Sequence, residues 1–495
     1  MENTVISPAQ NFSGTAINEV IHGWKSSGND RGTIDVLWSS AVTIILCCWV
    51  STYPNVGSPK DKWYHTFYDK LSLAIISLLG PDFVFGIAFG QFCSARRSVE
   101  MFRRDSHLCN GTRWTYTHGF FVDMGGIHLV SPDFPEGFPI NAAQLHYLVS
   151  HKYVDFPDME QMAIAERNSL DTLSRVITVF QAFWFLVAEI QRVRIGLPMT
   201  TLELTALSFS FIMFATSLLW YAKPSITKPR PIKSNAAKTV AEIREFARQN
   251  THPQLSEIWY RTPLDFISRN QFRIDAHWSY YVRLAQMMHF PFISRPIRSR
   301  PWDRFPSDEW LCPDMIFAPL AAAVLVGFSV LFLFAWNFHF PTKAEQLLWR
   351  ISSVYHAFFC LYGGLYYLIE MFNCRRRAGP SKNEQTRPPV HEAAHETLVD
   401  DLESQTFDQV RWLPETGMFR VRRQVETSLQ SLRNISPDQD PDRAVPLRII
   451  FPVTVICFLY ILCRLFIYFE DFFALRLQLA GIYVTVNKFI PFLGG

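Results

Sequence analysis

Six polar residues interrupt long apolar stretches of this sequence: Asp82, Gln181, Glu189, Glu203, His356 and Arg464. An ionisable side chain in hydrocarbon is costly, so such residues usually face a protein interior or a water-filled path. Their neighbours recur at helical spacing. Thr178, Gln181, Phe185, Glu189 and Arg192 fall on one face, and Glu203, Ala206, Ser210, Met213 and Ser217 on another. His356, Cys360, Gly363, Tyr367 and Glu370 make a third stripe, and Cys457, Tyr460, Arg464, Tyr468 and Asp471 a fourth. Asp82, Gly86 and Gly90 lie at i, i+4 and i+8, directly after Pro81. Converging stripes of this kind imply an ion or substrate pathway, with Asp82 and Glu189 as acidic members and Arg464 as their countercharge. A helix broken at Pro81 would expose backbone to a bound ion. The structural alternative is that Glu189, Arg192 and Glu203 sit near a membrane interface, Arg464 snorkels to one, and Asp82 pairs inside a bundle.

His391-Glu392-Ala393-Ala394-His395 matches HExxH, whose two histidines one helical turn apart can hold zinc while the glutamate activates water. Its setting, after Arg-Pro-Pro-Val and before a polar, acidic tract, offers no apolar helix face to hold a site rigid, so a chance match is the better reading. No phosphate-binding Gly-rich loop, dinucleotide fingerprint, nucleophile elbow or internal repeat is present. Nothing in the sequence thus designates a catalytic residue, a cofactor or a metal ligand.

The elements that must position the six residues are apolar runs near 20 residues long, enough at helical rise to cross a bilayer. Residues 176–222 form two such runs joined by the polar hinge 191–200, a transmembrane hairpin. Further spans are expected at 34–53, 71–92, 315–338, 351–372 and 449–469, making an all-α membrane protein of about seven transmembrane helices. Between them lie a polar tail (1–33) and three sizeable extramembrane segments: 95–175, with short strands and turns; 223–314, with helices near 239–248 and 274–288; and 373–446, polar and partly disordered. In the second span, Pro81 predicts a kink or two half-helices, and the Gly86/Gly90 face predicts close approach of another helix. The stretch 447–495 holds the last span and an apolar tail that either lies at the interface or extends that span.

Of the 495 residues 49% are apolar and only 18% charged, which is poor in charge for a soluble chain. A net charge of +3 gives no argument for nucleic acid, and 43 Phe, 14 Trp and 17 Tyr suit lipid-facing and interfacial surfaces. The implied partners are the lipid bilayer, protein partners of the polar segments or a helix-mediated oligomer. Most cysteines fall inside apolar runs and read as small hydrophobes. Cys374, just before Arg375-Arg376-Arg377, has a juxtamembrane setting compatible with palmitoylation, against the simpler reading of an unmodified thiol. The first residues show no cleavable signal peptide.

Basic clusters follow the second, fourth and sixth spans: Arg96/Arg97/Arg103/Arg104, Lys223/Lys228/Arg230/Lys233 with Arg295/Arg298/Arg300/Arg304, and Arg375–Arg377. By the positive-inside rule, seven spans then put the N-terminus and all three large segments in the cytoplasm and the C-terminus outside. Sequons at Asn11, Asn110 and Asn434 are expected on that cytoplasmic side, unused.

Several local motifs occur together: Arg31-Gly32-Thr33-Ile34-Asp35, Pro81-Asp82, GFFVDMGGIHL at 119–129, Gly196-Leu197-Pro198 with Thr201-Leu202-Glu203-Leu204, and Trp220-Tyr221-Ala222-Lys223-Pro224. As a set they resemble a large family of uncharacterised multi-pass membrane proteins of filamentous fungi. The likeness runs over most of the chain and is weakest at 375–419. It implies membrane integration and assigns no chemistry to any residue. Two functions remain in view: a channel or transporter-like protein with a polar intramembrane pathway, and a membrane scaffold or receptor whose cytoplasmic segments bind protein partners. A membrane-embedded enzyme has less behind it.

Overall fold

The computed structural model describes residues 19–28, 30–109, 111–157, 169–226, 228–253, 255–290, 293–378, 433–436 and 440–485. These fold as a mostly helical bundle bearing a mixed α/β cap.

The chain starts with a short strand, β1 (Val20–His22), and enters helix α1 (Thr33–Val50). The entry is fixed by Asp35, whose carboxylate accepts from Gly32 N at 2.7 Å and from Ser27 Oγ at 2.7 Å, satisfying a backbone donor that the first turn leaves open. Helix α2 (Trp63–Leu79) and helix α3 (Pro81–Arg104) follow and meet at a 120° bend. Pro81 is the first residue of α3, where its missing N–H has no intrahelical partner to lose. Of the two outcomes its sequence position allowed, it opens a second helix rather than kinking one. Both ends of this pair lie against the cap. Ahead of α2, Asn55 N donates to Ser307 Oγ (2.9 Å) and Val56 N to Met124 O (3.0 Å). Within α3, Arg97 Nη1 donates to Asp314 Oδ1 (2.7 Å).

In the cap, α4 (Tyr116–Asp123) leads into β2 (Ile127–Ser131), β3 (Phe134–Pro139) and α5 (Ala142–Ser150). The strands β2 and β3 form an antiparallel hairpin, and β4 (Arg230–Lys233) adds to the other edge of β2 in parallel. Phe102, Trp114, Phe121, Leu129, Phe138 and Leu145 make its core, closed by Val240 and Ile243 of α8 (Val240–Asn250). Parallel addition after so long a crossover means that 223–253 completes the fold begun at 105–157.

The hairpin consists of α6 (Ser169–Arg194) and α7 (Thr201–Leu219). Helix α9 (Arg273–Met287) belongs to the cap; α10 (Ala318–Leu331), continued by a 3-10 turn (Phe332–Asn337), and α11 (Lys343–Ala378) return to the bundle. Helix α12 (Leu447–Phe473) is followed by β5 (Leu477–Leu479), which pairs antiparallel with β1. Phe85, Leu204, Ile212, Phe328, Phe332, Trp349 and Ile467 knit five of these helices and the 3-10 end of α10 into one core.

Among the described residues, five helices are long and apolar enough to cross a membrane: Thr33–Val50, Arg175–Arg194, Thr201–Leu219, Met315–Asn337 and Leu447–Arg476. The expected span 71–92 is instead divided between α2 and α3. The expected span 351–372 lies within α11, which is not among the five. The bent pair α2–α3 passes the same test only when its two helices are taken together, so the described residues hold five or six candidate spans and the count of seven is not confirmed. The Gly86/Gly90 face does permit a close approach, but to an extended segment rather than a helix: a Cβ on Gly86 would fall 2.4 Å from the Trp310 ring, and one on Gly90 2.4 Å from Leu311 O. The apolar tail turns back at β5 and a 3-10 turn (Ala480–Tyr483). Of the sequons, Asn434 is buried with its amide donating to Asp440 O (2.8 Å), while Asn11 and Asn110 lie outside the described residues.

Candidate functional site

The six intramembrane candidates separate into two networks and one outlier. Near the middle of the bundle, Asp82 accepts from the Tyr460 hydroxyl at 2.9 Å. Arg464 is wholly buried; its Nη1 donates to His356 Nε2 at 3.2 Å and its Nε to the Tyr468 hydroxyl at 3.0 Å. Because Nε2 accepts, Nδ1 carries the ring proton, 3.6 Å from Cys360 Sγ. The guanidinium also lies 5.0 Å from the Phe332 ring and 5.2 Å from that of Phe209, an aromatic surround that stabilises a cation.

At the hairpin turn, Glu203 accepts from Arg31 Nη2 (2.6 Å) and from Thr200 N (2.9 Å), while Thr200 Oγ1 accepts from Glu203 N (3.1 Å). This is a capping box at the start of α7 with an arginine added. Arg192 lies 3.7 Å from Glu189 and donates to the carbonyls of Pro198, Ile482 and Val484. Glu189 and Arg464 thus do not share a site: the acid's cation is Arg192, and among the described residues no ion pair joins Arg464 to Asp82 or Glu189. Gln181 is exposed. The buried face of α6 runs Thr178, Ala182, Phe185, Glu189, Arg192; at 100° per residue positions 181 and 182 flank this stripe equally, and the packing buries 182. The crevice beside Pro81, lined by Cys47, Ser77 and Phe209 among others, has no room for a water molecule.

A roomier polar space lies elsewhere. A cavity of about 380 Å³ opens in the cap against the C-terminal half of α3. Its walls are Ser94–Met101 of α3, Asp123 at the end of α4, the first turn of α5, parts of 261–271 and 302–312, and Cys374 on α11. Asn141 caps α5, accepting from Gln144 N (3.0 Å), and its amide donates to Ser268 Oγ (3.0 Å), which fixes the wall to the irregular 261–271 segment. Asp123 accepts from Ser94 Oγ (2.8 Å) and Ala142 N (2.9 Å), and burial raises its carboxyl above the ordinary range. Arg261 pairs with Glu309 (2.8 Å) and lies 3.5 Å from Asp275. Burial works to lower the Arg261 guanidinium, but Glu309, Asp275, Asp440 and Asp265 together hold it above its usual value. Burial and Asp275 raise Glu309 against the opposing pull of Arg261. Arg97, Arg261 and Arg269 are balanced in the lining by Asp123, Asp265 and Glu309, so the formal charge sums to zero.

A family model described as "Family of unknown function (DUF8562)" matches residues 9–259, just over half of the chain. The chain belongs to this family. No curated protein and no solved structure matches it. The matched stretch contains the cavity's first wall, from Ser94 through Gln144, while Arg261, Glu309 and Cys374 lie beyond it.

Two buried groups near this wall carry the local motifs. Lys223, from Trp220-Tyr221-Ala222-Lys223-Pro224, is buried with its Nζ donating to Tyr53 O (2.8 Å), Asn55 Oδ1 (3.0 Å) and Gln91 Oε1 (2.8 Å), and 4.8 Å from the Trp220 ring. Burial first, and Arg175 second, lower this ammonium well below its ordinary value. Its acceptors come from the loop after α1 and from α3, so a side chain that follows α7 ties three bundle elements together just under the cap. His128, from GFFVDMGGIHL, lies on β2 with neither ring nitrogen bonded among the described residues, and burial lowers it to about 4 against the opposing field of Asp303. Both motifs were visible in the sequence; what they hold together was not, because their partners are distant in the chain. Among the described residues no group of His, Cys, Asp or Glu could hold a metal ion, and His391–His395 lie outside them.

Proposed function

We propose that this is an integral membrane protein that works as a receptor, its helical bundle holding a cap whose cavity binds a small neutral or zwitterionic polar molecule. The cavity of about 380 Å³ with balanced lining charges carries the reading. Arg97, Arg261 and Arg269 already hold Asp314, Glu309 and Asp440, so a ligand with unbalanced charge would have to displace one of these pairs, whereas a zwitterion, amide or polyol can bind without leaving a buried charge alone.

Membrane integration is supported by what the helices leave uncovered. Along α11, Leu347, Ile351, Val354, Phe358, Leu361 and Leu365 are exposed in one stripe, as are Phe451, Val455, Phe458, Leu462 and Leu465 on α12. Contiguous apolar faces of that extent need lipid or a partner helix. On this reading α1, α6, α7, α10, α11 and α12 cross the bilayer, and α2–α3 enters and leaves on the cap side as a re-entrant pair. Basic residues concentrate in the cap, which the positive-inside rule makes cytoplasmic. The channel or transporter reading draws less support, since Asp82, His356 and Arg464 are engaged in helix contacts and no water-sized space adjoins Pro81.

The test uses the full chain in lipid nanodiscs, with melting temperature measured against a panel of amino acids, polyols, sugars and simple anions. A ligand at about 100 times its Kd stabilises by about 2.7 kcal/mol. The expected result is a shift from at least one zwitterionic or neutral compound, lost in Ala143→Trp, which fills the cavity from the first turn of α5. No shift across the panel, or a shift that survives Ala143→Trp, overturns the assignment.

A further inference from the structure

Two cysteines line the same cavity from elements far apart in sequence. Cys312 lies on the segment between α9 and α10 and Cys374 near the C-terminal end of α11. Both pack on the cluster formed by Tyr53, Val84, Phe120 and Trp310, and both are partly exposed. Their thiols are in hydrogen-bond contact, and this contact first, with burial second, raises the Cys312 thiol well above its ordinary value. The remaining contacts of Cys312 are weak: its Sγ is 3.8 Å from Pro313 O. The cysteines within the bundle are in a different position. Cys47, Cys48, Cys93 and Cys360 are buried among apolar side chains, with no cavity to admit a reagent.

We infer that Cys312 and Cys374 form a dithiol modification site on the cavity wall, oxidised reversibly to an intramolecular disulfide by a low-molecular-weight disulfide that enters the cavity. The Cys374 thiolate attacks one sulfur of the reagent, forming a mixed disulfide and releasing one thiolate. Cys312 then gives up its proton and attacks the Cys374 sulfur. The Cys312–Cys374 bond forms and the second reagent thiol leaves. Two protein thiols are oxidised and one reagent disulfide is reduced to two thiols, so the exchange balances. Closure would bolt the end of α11 to the segment carrying Glu309 and Trp310, which are cavity wall and bundle contact respectively. In a reducing compartment such a bond forms only transiently, the behaviour of a sensing pair rather than a structural staple. The inference goes beyond the receptor reading and holds whatever the cavity binds.

The chain's methionines make the site readable. Cyanogen bromide cleavage after Met288, Met315, Met371 and Met418 releases fragments 289–315 and 372–418, each with a single cysteine, Cys312 and Cys374 respectively. The full chain in nanodiscs would be treated with oxidised glutathione, alkylated, denatured, cleaved without reduction and weighed. The expected product is 289–315 joined to 372–418 with the loss of two hydrogens, reversed by a reductant. In Cys312→Ser the reaction should stop with glutathione retained on 372–418. A mixed disulfide that persists on the parent's 372–418, or a dominant link from 289–315 to any other fragment, overturns the inference. Because the parent alone gives these outcomes, the test stands even if the serine variant folds poorly.

Discussion

His128 shows how a single residue can set an acid limit on the fold. Its imidazole is buried on β2 with no bonded partner among the described residues, and burial lowers it from 6.5 to about 4. The unfolded chain therefore takes up a proton between these values that the folded chain refuses. Stability is complete above pH 6.5 and falls as the pH drops toward 4. A tenfold change in proton affinity is worth about 1.4 kcal/mol, so the penalty at pH 4 is on the order of 3 kcal/mol. His128→Leu, which keeps the volume without the titrating ring, is expected to flatten this part of the profile. Melting temperature measured from pH 7 to pH 4 decides it: parallel curves for parent and variant would mean that the ring is not the source. The buried charges of the bundle follow a different logic. Arg464 has Nη1 on His356 and Nε on Tyr468 of its own helix, and its face on the Phe209 and Phe332 rings, while Nη2 has no partner among the described residues; neighbours on α7, α11 and the 3-10 turn thus account for most of its burial and leave one donor unmet.

At the scale of elements, α3 is the piece on which bundle and cap both depend. It begins at Pro81 in the bundle, contributes Gln91 to the Lys223 cluster and ends with Phe102 in the cap core. Its glycines have one role, to let 310–312 lie against the helix. A methyl at Gly90 would meet the Leu311 carbonyl at 2.4 Å, and backbone cannot swing aside as a flexible side chain can. Gly90→Ala is thus expected to destabilise by about 1–3 kcal/mol. Gly363, inside α11, has nothing within 4 Å of its missing Cβ, so Gly363→Ala should stabilise by up to about 1 kcal/mol through helix propensity. Thermal unfolding of the two variants in one detergent checks the opposite signs; equal signs would refute the contact. Much of this was legible from periodicity, because Asp82, His356, Tyr460 and Arg464 stand on faces that do meet. Gln181 misled because a five-residue stripe tolerates a shift of one position, and only packing tells 181 from 182. The cavity was not legible at all. Half of its wall is irregular backbone between 261 and 312, which has no period to read, and its sides are joined by contacts more than a hundred residues apart, such as Asn141 to Ser268.

For the whole molecule, the decisive contact is the smallest sheet. Three residues of β1 pair with three of β5, and flanking bonds extend the join: Ala480 N to Glu19 O (2.8 Å), Gly23 N to Arg476 O (2.7 Å) and Arg31 N to Tyr483 O (3.1 Å). Strands this short carry no alternation that a sequence could display, so counting hydrophobic runs gave seven crossings and opposite faces for the two ends. Pairing requires one face for β1 and β5, and the re-entrant course proposed for α2–α3 would supply the even number of crossings that this demands. Arg192 adds to the same conclusion, since it stands at the hairpin turn and donates to Ile482 O and Val484 O. That turn lies at the far end of α6–α7 from Trp220 and Lys223, which adjoin the cap. On the proposed membrane reading, β1, β5 and the hairpin turn therefore share one side and the cap has the other. Epitope tags placed at each end and in the cap loop 253–260, followed by protease treatment of sealed vesicles, measure this directly. The two terminal tags should be cleaved or protected together, and the cap tag should behave oppositely in the same vesicles. Terminal tags that behave oppositely to one another would restore an odd number of crossings, and α2–α3 would then have to be a bent span instead of a re-entrant pair.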